Sequence, residues 1–97
     1  MMGFEWDLDK AKTNLRKHRV AFKEAATVFR DALSITFLDP YHSEREERYI
    51  TVGQSSAGRL LIVAHTDREG RIRIISAREL TRAERKAYEE ETKRRKG

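Results

Sequence analysis

"RIRIISARELTRAER", Arg71 to Arg85, contains the change of period that decides the fold. From Arg71 to Ser76 the residues alternate, so Arg71, Arg73 and Ile75 share one side and Ile72, Ile74 and Ser76 the other, as in a strand with one buried face. Just beyond it Thr81 and Glu84 make the S/T-x-x-E capping box of a helix start. Glu89, Glu90 and Glu91 then precede Lys93, Arg94 and Arg95 at i, i+4, a spacing that supports a helix. A strand therefore passes into a helix, and guanidinium groups line both. If helices cover the isoleucine face, the opposite face presents Arg71 and Arg73, with Arg68 before them and Arg78 after.

Upstream, "LLIVAHTD" reads as a largely buried strand, joined to "RIRIIS" by the tight turn "REG". "RYITVGQ", from about Arg48, is a strand preceded by a loop holding the only proline, Pro40, and followed by the hairpin loop "SSAGR". "LSITFL", Leu33 to Leu38, is the first strand of the series. These connections are too short for parallel crossovers, so the expectation is a four-stranded antiparallel meander. At the N-terminus Asp7 suits the N-cap of a helix to about His18, along which Leu8, Ala11, Leu15 and His18 recur at helical spacing. Phe22, Ala25, Ala26 and Phe29 predict a second short helix, and Phe4 and Trp6 read as core or edge residues. The sum is one α+β domain over residues 1–97: two N-terminal helices, a four-stranded antiparallel sheet and a C-terminal helix.

Ninety-seven residues suit one modest core, and a net charge of +5 favours nucleic acid, an anionic membrane or an acidic protein as partner. Residues 1–67 hold ten basic and ten acidic side chains, while the last thirty hold eleven against six, so the whole excess belongs to the opening stretch and its neighbours. No helix combines a basic face with large apolar residues, which sets the membrane aside. The chain has no cysteine, which excludes disulfides and thiolate metal sites. With no apolar run long enough for a bilayer and no signal-peptide pattern, a cytoplasmic location is expected.

Clustered arginines suit multidentate recognition of phosphate and of the charge that builds up in phosphoryl transfer. Three histidines are candidates for proton transfer. His18 continues the apolar stripe of the first helix, where packing accounts for it; His42 lies in the proline loop; His65 lies on a strand, as a core residue or a general acid or base. Tyr88 stands one turn after Arg85 and packs on the sheet or joins the site. No spacing matches a metal site, a phosphate-binding glycine loop or a nucleophilic serine motif, and no cofactor or metal is expected.

The order of "FEWDLDKAKTNLRKHRVAFKEAATVF", "YHSEREERYITVGQSSAGRLLIVAHTDR" and "RIRIISARELTRAERKAYEE" resembles the BrnT family of bacterial type II toxins, from Phe4 to about Glu90. The resemblance implies a RelE-like fold and metal-independent RNA cleavage that uses the substrate's 2′-hydroxyl and blocks translation. It also implies neutralisation by a BrnA-like antitoxin with a ribbon-helix-helix domain, the complex binding operator DNA. Matched polar positions are Lys17, His18, His42, Glu47, Arg68, Arg73, Arg78, Arg85 and Tyr88. On that basis Arg73 and Arg78 are expected to clamp the scissile phosphate, with His42, His65 or Tyr88 moving protons. Lys17, Arg68, Arg71 and Arg85 are expected to bind RNA, Arg85 alternatively pairing with Glu47. Arg68, Arg73 and Arg78 are expected to converge on one anion-sized pocket. The alternative reading is a non-catalytic module that binds nucleic acid and antitoxin and acts as operon co-repressor. Arg19 departs from the family by replacing the glycine that ends the first helix, and Ala32 by replacing a frequent proline.

Overall fold

The computed structural model describes residues 3–41 and 47–96. The order of elements is β1 (Gly3–Glu5), α1 (Leu8–His18), α2 (Phe22–Thr27), a 3-10 turn (Val28–Arg30), β2 (Ile35–Leu38), β3 (Tyr49–Gln54), β4 (Leu60–Arg68), β5 (Arg71–Glu79) and α3 (Arg82–Lys96). The architecture is α+β, and β2 to β5 form the expected antiparallel meander. The sheet has a fifth strand: β1 runs parallel to β5 at the edge, in the order β1-β5-β4-β3-β2, with Gly3, Phe4 and Glu5 opposite Arg71, Ile72 and Arg73. The expected four-stranded antiparallel sheet is thus a five-stranded mixed one. Three residues are too few to show a period of two, and the parallel pairing is made possible by all the chain between β1 and β5, far more than a crossover needs.

The helical hairpin covers one face of the sheet. Asp7 caps α1 by accepting from the Lys10 amide at 2.9 Å, and the helix buries little of itself besides Ala11 and Asn14. Val20, Phe22, Ala25 and Val28 pack against Leu61, Val63, Ile74 and Ala77, with Phe4, Trp6 and Phe29 around them. Trp6 meets Phe22 edge-on at 6.0 Å, and Phe4 meets Phe29 at 5.4 Å. Both residues read as core or edge are therefore part of the core.

Arg19 ends α1 in the left-handed conformation, φ 59°, its amide donating to the Leu15 carbonyl at 2.9 Å. This is the position where glycine carries no steric penalty. Arg19→Gly is expected to raise stability by about 1 kcal/mol, read as a higher urea midpoint with an unchanged slope; the Arg19 carbonyl that accepts from Arg59 is kept.

The second face of the sheet is only partly covered. The face assignment turns on β5: Ala64 pairs with Ser76 but His65 pairs with Ile74, so Ile75 is an extra residue, a β-bulge. Ile72 and Ile74 before it and Ala77 after it all point into the core. Strict alternation would put Arg78 on the same side as Ile72; the bulge puts it on the side of Arg71, Arg73 and Ser76. Past Arg73, β1 no longer flanks β5, and the buried Asn14 of α1 takes its place. Its amide nitrogen donates to the Ala77 carbonyl at 2.8 Å and its oxygen accepts from the Ala77 amide at 3.1 Å. That clamp sets the C-terminal end of α1 beside the bulge.

Candidate nucleic-acid site

The bulge and the Asn14 clamp bring α1 and β5 together at a groove. One part, about 320 Å³, is lined by Asp9, Lys10, Thr13, Lys17, His18 and Ser76 among others. The next, about 210 Å³, shares His18 and Ser76 and adds Arg78, with Ile50, Ile62 and Ala64 as its apolar floor. His18, assigned to packing by its place in an apolar stripe, instead lines the same cavity as Arg78. Lys17 is exposed at the groove. Arg59 fixes this end of α1 from the other side: its guanidinium donates to the Arg19 carbonyl at 3.1 Å and pairs with Glu24 and Glu79.

The arginines divide into two groups and do not all converge on one pocket. Arg73 pairs with Glu5 at 2.9 Å, and Arg71 shares that carboxylate at 3.5 Å while donating to the Phe4 carbonyl at 2.9 Å. Arg68 lies across from Arg71 in the ladder and is exposed, with no ion-pair partner among the described residues. Arg78 stands roughly 13 Å along β5 from Arg73 and about 20 Å from Arg71, at about 3.3 Å per paired residue. It pairs with Glu84 through two bonds of 2.8 and 3.0 Å. The Arg78 guanidinium first, and then the Thr81 amide, hold the Glu84 carboxyl at about 2, far below its ordinary range. Glu5 and Glu84 are the partners that the alternation on β5 could not name, because both come from other elements.

Of the proposed proton-transfer residues, His42 lies outside the described residues. His65 is buried at 4% exposure on the helix side of the sheet, opposite the arginines. Its ring sits edge-on to Phe29 at 4.8 Å and stacks with Tyr49 at 5.8 Å, and its Nε2 bonds Thr51 Oγ1 at 2.7 Å, which in turn bonds Thr36 Oγ1 at 2.7 Å. Its Nδ1 is buried without a partner. A proton on Nδ1 would be buried with no acceptor, so the charged ring is disfavoured. Burial pushes the imidazole below its usual pKa, and nearby Asp67 offsets this only in part.

His65 takes up a proton more readily unfolded than folded, so the stability it contributes is complete above about 6.5, the unfolded value, and is lost as pH falls toward the folded value. The expected slope is up to about 1.4 kcal/mol per pH unit. His65→Gln, which can keep the Thr51 bond, is expected to flatten urea-derived stability between pH 6.5 and 5 relative to the parent. Equal slopes would contradict this.

Tyr88, on α3, is half-buried and its hydroxyl donates to the Leu33 carbonyl at 3.2 Å; burial, then the Asp31 charge, push its pKa up. It lines a separate apolar groove of about 280 Å³ with Ile35, Phe37, Val52 and Ile62. Arg85 is exposed on α3 and is not paired with Glu47, which instead accepts from the Tyr49 hydroxyl at 2.7 Å. The capping box forms in both directions, at 2.8 and 3.2 Å. In place of the expected i, i+4 pairs, Arg94 pairs with Glu91 at 3.1 Å, and Arg95 turns to the Leu33 carbonyl at 3.4 Å.

The chain superposes on the crystal structure of the Brucella abortus ribonuclease toxin BrnT with a TM-score of 0.62 at 19% identity, covering 84% of this chain and 100% of that one. A comparison with curated proteins finds no match. Residues 6–84 match the family described as the ribonuclease toxin, BrnT, of type II toxin-antitoxin systems. With its α1 "KH" pair, its β5 arginines and its capping box all inside that span, the chain belongs to the BrnT family of ribonuclease toxins.

Proposed function

We propose that this chain is a metal-independent endoribonuclease that cleaves RNA in the groove between the end of α1 and β5. Arg78 contacts the scissile phosphate, His18 moves a proton, and Lys17 holds the substrate beside them. Arg71, Arg73 and Arg68 continue the cationic track along the same face of the sheet. The observation that carries this reading is that His18 and Arg78, sixty residues apart in sequence, line one cavity with Ser76. His65 is assigned to the core, since its burial denies it the access that proton transfer to a substrate requires.

The reaction these groups support is attack of a ribose 2′-oxygen on the adjacent phosphorus. The 2′-hydroxyl loses its proton to a base, the phosphorus bond to the 5′-oxygen breaks, and that oxygen receives a proton. The products are a 2′,3′-cyclic phosphate and a 5′-hydroxyl, and DNA, lacking the nucleophile, resists. Arg78 counters the negative charge that builds on the non-bridging oxygens. On this reading cleavage blocks translation, and the protein partner that a toxin-antitoxin system supplies is a BrnA-like antitoxin with a ribbon-helix-helix domain, the pair binding operator DNA.

Purified protein incubated with single-stranded RNA in excess chelator is expected to give fragments ending in 2′,3′-cyclic phosphate, and a single 2′-deoxy substitution at the cut site is expected to block cleavage there. Intact RNA, bound in a salt-sensitive way, would instead favour the non-catalytic co-repressor.

A further inference from the structure

Arg78 offers five N–H donors in a fixed plane, and three are used within the chain. Nη1 donates to Glu84 Oε1 at 2.8 Å and to the Glu79 carbonyl at 3.2 Å, and Nη2 donates to Glu84 Oε2 at 3.0 Å. Glu84 thus takes the end of the fork farthest from the chain. The two donors left over are the Nε proton and the second Nη2 proton, which lie parallel on one side edge of a guanidinium and match two oxygens of a tetrahedral anion. Neither has a partner among the described residues. Glu84 is itself held: its Oε1 accepts from the Thr81 amide at 2.8 Å and its own amide donates to Thr81 Oγ1 at 3.2 Å, in the first turn of α3.

We infer that Glu84 is a positioning residue for the cleavage reaction, fixing the plane of Arg78 so that its Nε/Nη2 edge stays open to the scissile phosphate. The carboxylate and the phosphate occupy different edges, so neither displaces the other. The capping box acquires a second role: the hydrogen bonds that start α3 also orient the cation of the cavity. This inference rests on the proposed RNA cleavage at Arg78 and adds a residue that touches no substrate.

The test is a cycle of Arg78→Ala, Glu84→Gln and the double variant, each confirmed folded by thermal melting. Glu84→Gln keeps an oxygen for the Thr81 amide and removes the charge and one acceptor. It is expected to lower kcat/KM about ten- to a hundredfold, up to the cost of misplacing a reacting group by about 1 Å, and Glu84→Asp, charged but shorter, is expected to fall with it. In the double variant the loss is expected to equal that of Arg78→Ala alone, because there is no longer a cation to orient. Guanidinium chloride at millimolar, non-denaturing concentration, against equal sodium chloride, is expected to restore part of the activity of Arg78→Ala and none in the double variant. A purely structural Glu84 would leave that rescue unchanged. Additive losses, equal rescue with and without Glu84, or a gain of activity in Glu84→Gln would each overturn the inference. Full activity of Arg78→Ala would overturn the proposed site along with it, so the two failures are told apart by one variant.

Discussion

Arg78→Ala is expected to lower kcat for RNA cleavage by about 10²- to 10³-fold while the protein stays folded. The magnitude is that of removing one preorganised donor group from a developing oxyanion, roughly 2.7–4 kcal/mol. The fold should tolerate the change because the Arg78–Glu84 pair is more than a third exposed on both sides, and pairs so exposed are worth at most about 1 kcal/mol. Arg78→Lys is expected to recover little, since one ammonium cannot meet Glu84, the Glu79 carbonyl and two phosphate oxygens at once. Arg68→Ala and Arg71→Ala should behave differently. Both side chains lie toward the far end of β5 from the cavity, so their loss should weaken RNA binding, with the slope of log affinity against log salt reduced by about 0.7 for each phosphate contact removed. Gel-based cleavage rates and salt titrations on the same RNA separate the two behaviours. An Arg78→Ala protein that cleaves at the parent rate would remove Arg78 from the site.

The fold was legible wherever its cause is local. Asp7 at the start of α1, the capping box of Thr81 and Glu84, and the turns between β3, β4 and β5 are all fixed by residues within a few positions of one another. Two features were not. β1 is three residues long, and its pairing with β5 depends on the core formed by Phe4 and Phe29. The bulge at Ile75 leaves no mark on an alternating pattern, yet it decides which face Arg78 occupies. Reading the alternation straight through would have set Arg78 among buried isoleucines, where an unpaired guanidinium is too costly to keep.

The candidate site was legible in its cations and not in their grouping. The excess of positive charge in the last thirty residues pointed to β5, and Lys17, Arg71, Arg73 and Arg78 all lie along the α1–β5 side of the molecule. That Glu5 would tie Arg71 to Arg73, and Glu84 would tie α3 to Arg78, depends on which elements meet. The placement of His18 also depends on which elements meet. Leu8, Ala11 and Leu15 precede it at helical spacing, so the stripe accounts for it, but α1 ends at the groove, where His18 lines one cavity with Ser76 and Arg78.

His18→Ala is therefore expected to lower kcat by about 10²- to 10⁴-fold, the range for losing a general acid or base, with RNA affinity held by the arginines of β5. His18 and His65 differ in what the fold lets them do. His65 has its Nε2 bonded to Thr51 and its Nδ1 buried without a partner, so His65→Gln should change acid stability and leave kcat at neutral pH close to the parent's. His18 lines the cavity with Arg78, so turnover should fall in His18→Gln and persist in His65→Gln. Tyr88→Phe removes only the hydroxyl that holds α3 to the Leu33 carbonyl, and it should lower the melting temperature before it lowers the rate. If folded His65→Gln or Tyr88→Phe lost turnover while His18→Ala kept it, the reacting phosphate would have to sit elsewhere than between the end of α1 and Arg78.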